Sequence, residues 1–232
     1  MPAREDPLTP VHKGLRAMIY SLSTRLQTHD FSDAEATRSL AVDLEQDFAV
    51  ARTAGCILCL LSHHAIDEDT VLFPPTARVG NALVTTLIEE HHDLTRREIA
   101  LARSAQELIA LGSPSDRVAA GARLNQAANG LFAAYVTHMN KEEEQLVPLM
   151  QAHFTDPELV GMRSTVIARM PPERVMAMLS WILPSINETE LCDFLTSVVR
   201  TAPPPLVKGV TDLCAAKVES ARWARVRQQV GV

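Results

Sequence analysis

The sequence predicts an all-α fold: an up-down-up-down four-helix bundle with a C-terminal helical extension. Three observations predict it. Aromatic residues make up only 4% of the 232, and two-residue alternation of β-branched side chains is almost absent, while Leu, Ala, Met, Glu and Arg dominate. Apolar residues recur at three- and four-residue steps through four successive stretches, each giving one apolar stripe. Short turns with proline, glycine or capping signals separate those stretches, so neighbouring helices pack side by side.

The elements follow in order. Thr9-Pro10 reads as a cap followed by proline at the first helical position, and His12 then shares a stripe with Leu15, Ile19, Leu22 and Leu26. Residues 28–32 form a turn. A long second helix is expected from near Asp33, carrying Leu44, Phe48, Ile57, Leu60, Leu61, His64, Glu68 and Leu72, until Pro74-Pro75 stops it. The third, roughly Val79 to Leu111, places Leu83, Leu87, His91, Leu94, Leu101 and Leu108 on one face before Gly112. The fourth opens at Ser113-Pro114-Ser115-Asp116 and runs through Leu124, Ala128, Leu131, Tyr135, His138, Glu142, Gln145 and Leu149, with Pro148 interrupting or kinking it. Residues 1–152 form the bundle. Residues 153–232 form a helical appendage: one helix over Val175 to Leu183, a capping box at Asn187 to Glu190 opening the next, and a last helix from Leu206 to Val230. The appendage is suited to packing on the bundle, to forming a homodimer or to binding a partner; Trp181 and Trp223 are core residues first and interface anchors second.

A composition with 47% hydrophobic and 22% charged residues supports a buried core and argues against disorder. The net charge of −6 and the absence of a Lys/Arg run make nucleic acid an unexpected partner. The longest apolar run, Ala54 to Leu61, is far below the roughly 20 residues that a membrane span needs, and the N-terminus is charged and proline-bearing rather than signal-like. No membrane association and a cytoplasmic location are expected. Of the four cysteines, Cys56 and Cys59 have a redox-type spacing but fall mid-helix by this reading, which favours a buried structural pair.

One pattern occurs twice. His64-Ala-Ile-Asp-Glu68-Asp-Thr-Val-Leu72-Phe73-Pro74 and His138-Met-Asn-Lys-Glu142-Glu-Glu-Gln-Leu146-Val147-Pro148 both read His-x-x-x-Glu, an acid, two residues, then an apolar pair and proline. Four helical residues advance about 400°, so each His and Glu share a face one turn apart. A buried imidazole left with an unpaired nitrogen costs about 1–3 kcal/mol, and a buried carboxylate costs more unless a cation is near. Four histidines and two glutamates converging on two cations resolve both problems. The ligands are then His12, His64, Glu68, His91, His138 and Glu142. Without motif thiolates, Cys-rich structural zinc is out. Imidazole plus carboxylate suits iron, manganese or zinc, and carboxylates able to bridge favour a dinuclear centre. The order is the reverse of the Glu-x-x-His of ferritin-like bundles, and no His-Glu-x-x-His protease motif occurs.

The set His12-x-x-Leu15-Arg16, His64-x-x-x-Glu68 with Leu72-Phe73-Pro74, Glu90-His91-x-x-Leu94, and His138-x-x-x-Glu142 with Leu146-Val147-Pro148 resembles the hemerythrin-like (HHE cation-binding) proteins over about residues 8–152. The resemblance implies a four-helix bundle holding two Fe ions, oxo- or hydroxo-bridged, with the histidines as terminal ligands and the glutamates bridging. It also implies a small oxidant as partner, since members bind dioxygen, sense oxygen or iron, respond to nitric oxide or decompose peroxide. Fold alone does not choose among these. Oxygen carriers present a His pair four residues apart on the third helix, whereas this chain has Leu87 and Thr95 at the flanking positions. Fewer ligands leave more positions for water, peroxide or nitric oxide unless Glu98 or water fills in, which shifts the expectation from storage toward reactive or sensory chemistry. A catalase-like oxidoreductase activity, on peroxide or nitric oxide, is the enzymatic version of that expectation.

The remaining titratable groups have plainer readings. Asp67, Asp69, Glu143 and Glu144 are expected as exposed acids. His63 points about 100° from His64 and suits the surface or the outside of the site. His91 continues the Leu87/Leu94 stripe and is preferred over His92, while His29 and His153 are surface or capping residues. Tyr135 either fills core or hydrogen-bonds near the metals. Two further readings stand beside the oxidant-binding one: a sensor whose metal state is read by the C-terminal helices, and a metal-free helical scaffold.

Overall fold

The computed structural model describes residues 4–41, 44 and 56–232, and among these there is no strand. Helix α1 (Thr9–Thr28) has Pro10 in its first turn as expected, but Thr9 does not cap it. Asp6 Oδ1 instead accepts from the N–H of Leu8 (3.0 Å) and Thr9 (2.9 Å). The buried face of α1 carries His12, Leu15, Ile19, Leu22 and Leu26, the expected stripe, with Met18 added. Helix α2 is short (Ala34–Ala41), and Asp33 accepts from the N–H of Glu35 and Ala36 at its start. Most of the middle of the expected long second helix, Phe48 included, lies outside the described residues; Leu44 is buried.

Helix α3 (Ile57–Asp67) passes directly into a π-helical turn, Glu68–Leu72, and then into α4 (Phe73–Ala110). Pro74-Pro75 therefore does not end the helical path, contrary to expectation. Both prolines fall in the first turn of α4, a position whose backbone suits proline. The path bends instead at Gly80 (φ −151°, ψ 50°), where a Cβ would meet Leu149 Cδ2 at 2.2 Å. Helix α5 (Pro114–Lys141) is capped by Ser113 Oγ, which accepts from the N–H of Asp116. It enters a second π turn, Glu142–Leu146, followed by α6 (Val147–His153).

The two π turns share one cause. A proline at position i removes an N–H and crowds the carbonyl of residue i−4. Pro74 and Pro148 would do so to Thr70 and Glu144, and the widened turn relieves it, with the N–H of Phe73 bonding to Glu68 O and that of Val147 to Glu142 O, five residues back. The apolar-pair-proline ending of each repeat thus opens a π turn on its glutamate.

Two apolar clusters build the core of this part. One contains Leu15 and Leu22 of α1, Leu58 and Leu61 of α3, Leu94 and Leu101 of α4, and Leu124 and Leu131 of α5. The other contains Leu8, Leu72, Phe73, Leu87, Leu146 and Met150. At about 1.5–3 kcal/mol for each fully buried side chain, these clusters hold the helices together. Along the chain, His12 falls between Leu8 and Leu15, the pair His64 and Glu68 between Leu61 and Leu72, and His91 between Leu87 and Leu94. The pair His138 and Glu142 lies likewise between Tyr135 and Leu146. A polar layer is therefore sandwiched between two apolar ones.

Helices α7 (Asp156–Arg169), α8 (Pro172–Ser185), α9 (Glu188–Thr201), α10 (Pro204–Lys217) and α11 (Ser220–Val230) complete the chain. Asn187 and Glu190 form the expected capping box. The single last helix expected from Leu206 to Val230 is broken at Val218-Glu219, because the Glu219 carboxylate accepts from the N–H of Ala221 and Arg222 and starts a new helix. A third apolar cluster, including Leu183, Leu191, Leu195, Val210, Cys214 and Val226, joins α8 to α11. The front of α8 belongs elsewhere: Met178, Trp181 and Ile182 pack into the first cluster, against α1. A Cβ on Gly14 would sit 3.0 Å from the Ile182 backbone, so the two helices approach as closely as glycine permits. Trp223 packs against the third cluster.

Cys56 and Cys59 are both buried free thiols, but they sit at the start of α3 rather than mid-helix. They hydrogen-bond to one another, and that contact together with burial pushes the Cys56 thiol far up. No helix among the described residues is long and apolar enough to cross a membrane.

Candidate metal centre

The two repeats and two further helices bring six side chains to one place. His12, His64, Glu68 and Glu142 form one group and Glu68, His91, His138 and Glu142 another, with the donor atoms of each group within 4.8 Å of one another. Helix α1 supplies His12, α3 and its π turn supply His64 and Glu68, α4 supplies His91, and α5 with the second π turn supplies His138 and Glu142. All are buried except His64, whose side chain is 11% exposed.

Each carboxylate divides its oxygens between the groups. Glu68 Oε1 lies 3.1 Å from His64 Nε2 and 3.7 Å from His12 Nε2, while its Oε2 lies 3.4 Å from His91 Nε2. Glu142 Oε2 lies 3.4 Å from His12 Nε2, and its Oε1 3.3 Å from His138 Nε2. The four oxygens are buried, and none has a hydrogen-bond partner among the described residues. Orphaned carboxylate oxygens at essentially zero exposure are costly unless a cation meets them. Two imidazoles and two carboxylate oxygens in each group fit a divalent metal of the iron, manganese or zinc kind.

The imidazoles are turned for the same purpose. His12 Nδ1 lies 2.9 Å from Glu143 Oε1, which also accepts from Arg16 (2.8 Å). His91 Nδ1 lies 2.9 Å from Asp69 Oδ1, and His138 Nδ1 lies 2.8 Å from Glu90 Oε2, whose other oxygen takes Lys141. A proton held on Nδ1 by a carboxylate leaves Nε2 bare and aimed into the site. Nε2 atoms then face each other in pairs, His91 with His138 at 2.8 Å and His12 with His64 at 3.1 Å. Such lone pairs need a proton or a cation between them. Phe73 stacks on His91 with the rings 8° from parallel.

Without a cation, protons take that role. Burial pulls the His12 pKa down, but Glu143, Glu68 and Glu142 outweigh it and raise it to about 9. His91, likewise lowered by burial and raised more by Asp69 and Glu68, reaches about 10, and His138 is raised by Glu142 against its own burial. Burial pushes Glu68 up, but His64, His12 and His91 hold it well below the usual carboxylate range.

The expectation of exposed acids fails for three of four. Asp69 and Glu143 orient His91 and His12, and Asp67 is buried, 3.1 Å from Arg174 of α8. Burial raises the Asp67 pKa and Arg174 opposes that; Glu144 is exposed as expected. The repeat itself held the missed signal, since the acid after each glutamate comes out of the same π turn and reaches a histidine on another helix. Glu98, weighed above as a substitute ligand, joins neither group. It is fully buried and accepts from the Tyr135 hydroxyl and from Ser62 Oγ (2.5 Å). His92 is exposed and His63 half-buried, so His91 is the histidine that reaches the site. His29 contacts Thr37 Oγ1 and His153 contacts Leu149 O, both away from it.

No curated protein and no solved structure gives a significant match to the chain. The family model described as the hemerythrin HHE cation-binding domain matches residues 11–150, a segment that contains all six converging side chains and more than half of the sequence. The chain belongs to the hemerythrin HHE cation-binding family.

Proposed function

We propose that this is a non-haem di-iron protein whose up-down-up-down bundle binds or turns over a small oxidant: oxygen, hydrogen peroxide or nitric oxide. The observation that carries the reading is the pair of buried carboxylates, Glu68 and Glu142, each turning one orphaned oxygen to each of two histidine pairs. In this reading the six side chains would hold the metal, each glutamate offering one oxygen to each histidine pair. An iron pair held there would supply open coordination positions and electrons for the oxidant. The chain's own part is to keep Nε2 of His12, His91 and His138 bare through Glu143, Asp69 and Glu90, and to keep water away with the two apolar clusters. Glu143 and Glu90 are in turn fixed by Arg16 and Lys141, so the imidazoles stay aimed as charge at the site changes.

Metal analysis and the visible spectrum of protein expressed with iron test this. The reading expects close to two irons per chain and oxo-bridge absorption after air oxidation. Fewer than about one iron per chain, with no such band, would sink it.

A sensory role is the second reading, and the packing of α8 and α9 favours it. Arg174 of α8 pairs with Asp67, the residue before Glu68, Ile182 touches α1 two residues past His12, and Lys13 pairs with Glu190 (2.5 Å). Oxidation or metal removal then changes amide exchange in residues 155–232; identical exchange in both states would remove this reading.

A further inference from the structure

Beside the ligand layer lies a second buried polar group that the proposed ligation does not use. Tyr135 of α5 donates to Glu98 Oε1 of α4, and Ser62 of α3 donates to Glu98 Oε2. The three residues are 3%, 0% and 4% exposed respectively for Tyr135, Glu98 and Ser62. Each sits on a helix that also carries converging histidines: Ser62 two residues before His64, Tyr135 three before His138, and Glu98 seven after His91. On α5 that is a separation of about one turn, roughly 4.5 Å along the axis. Tyr135 also feels the charge of Glu68.

Filling core does not account for this arrangement. Phenylalanine would fill the space of Tyr135 with no polar atom to satisfy, and a buried carboxylate is among the costliest side chains to place there. What a phenol gains from a carboxylate at hydrogen-bond distance is a base. Oxidising a phenol by one electron makes its proton strongly acidic, and in an apolar setting electron and proton must leave together or leave an unpaired charge behind. The rest of the surroundings are dry: Tyr135 packs in the first apolar cluster with Leu94, Leu101, Leu131 and Phe132. The chain's other tyrosine, Tyr20, is 55% exposed and has no comparable setting.

We propose that Tyr135 is a redox-active side chain that gives one electron during reduction of a peroxide at the metal pair, with Glu98 taking its proton and Ser62 holding Glu98 in place. The inference rests on the di-iron reading. The step balances as follows: hydrogen peroxide takes two protons and two electrons to become two waters, one electron coming from Tyr135, and a metal pair held by the six side chains would supply the other. Tyr135 becomes a neutral phenoxyl radical, and its proton moves along the existing hydrogen bond to Glu98 Oε1, leaving Glu98 a neutral acid still bonded to Ser62. The two protons that complete the waters come from solvent. The radical then serves as a stored oxidising equivalent for an external one-electron donor.

The experiment uses the full chain loaded with iron, its metal content and visible spectrum measured first, mixed with hydrogen peroxide and frozen within milliseconds for electron paramagnetic resonance. A neutral tyrosyl signal is expected, with hyperfine structure that collapses when the protein carries ring-deuterated tyrosine. Tyr135→Phe should abolish the signal at unchanged iron content, Tyr20→Phe should leave it intact, and Glu98→Gln should cut its yield by removing the proton acceptor while keeping the shape. Full iron with no tyrosyl signal, or a signal that survives Tyr135→Phe, overturns this inference and leaves the di-iron reading standing. A chain that takes up no iron overturns both together.

Discussion

The two halves of the centre share their glutamates but not their surroundings. His91 and His138 are 3% and 4% exposed, each has Nδ1 on a carboxylate, and His91 is stacked on Phe73. In the other half His12 is sealed and tied to Glu143, itself held by Arg16, but His64 is 11% exposed and lies near the C-terminal end of α3, which is tied to α8 through Asp67. One half is thus enclosed within the bundle, while the other reaches toward the surface at His64 and toward the C-terminal helices through Asp67.

Replacing a shared glutamate should disable both halves together. Glu68→Ala and Glu142→Ala each remove an oxygen from both halves, so iron should fall from about two per chain to near zero, whereas His64→Ala should keep iron in the His91/His138 half. Metal analysis of the three variants checks this, and equal losses from His64→Ala and Glu68→Ala would show that the halves are not separable. Arg174→Ala acts on one side only. It strands Asp67 at 7% side-chain exposure, and removing one partner of a buried pair costs about 3–5 kcal/mol, readable as a drop in the denaturation midpoint.

Smaller effects should come from the residues that aim the imidazoles. Asp69→Asn and Glu143→Gln should each weaken metal binding by about 10–100-fold, Asp69→Asn in the half containing His91 and Glu143→Gln in the half containing His12. Competition against a chelator measures it, and a loss confined to one of two binding steps would sharpen the contrast. The mildest test needs no substitution. In metal-free protein His12 and His91 have pKa values raised from 6.5 to about 9 and about 10, so the folded state binds their protons more tightly than the unfolded state does. Their contribution to stability is fully present below pH 6.5 and is lost as pH rises through 9 and 10. Chelator-stripped protein should therefore unfold more easily at alkaline pH, and iron-loaded protein should lack that dependence because bound imidazoles carry no such proton.

Much of this molecule is legible along the chain. Stripe positions pick out His12 and His91, and the repeat picks out His64, Glu68, His138 and Glu142, because helical periodicity turns sequence spacing into a shared face. The roles of Asp69 and Glu143 are hidden for the same reason: ideal helical geometry turns the residue after each glutamate about 100° away, and the π turns before Pro74 and Pro148 alter that register. Pro74-Pro75 does not act as a stop because a proline pair suits the first turn of the next helix as well as it suits an ending.

Spacing along the chain is enough for the helical class, the positions of the caps at Ser113 and Asn187, and the six side chains that converge in groups able to hold a metal ion, since all of these depend on contacts or periodicities within a few residues. Only the tertiary structure decided which oxygen faces which histidine, which acids orient the rings, that Glu98 serves Tyr135 and Ser62 rather than the metal groups, and that α8 lies against α1. Those facts depend on which helices become neighbours, on approaches such as Gly14 to Ile182, and on the pairing demands of buried charge, none of which is written in the spacing of residues along one helix.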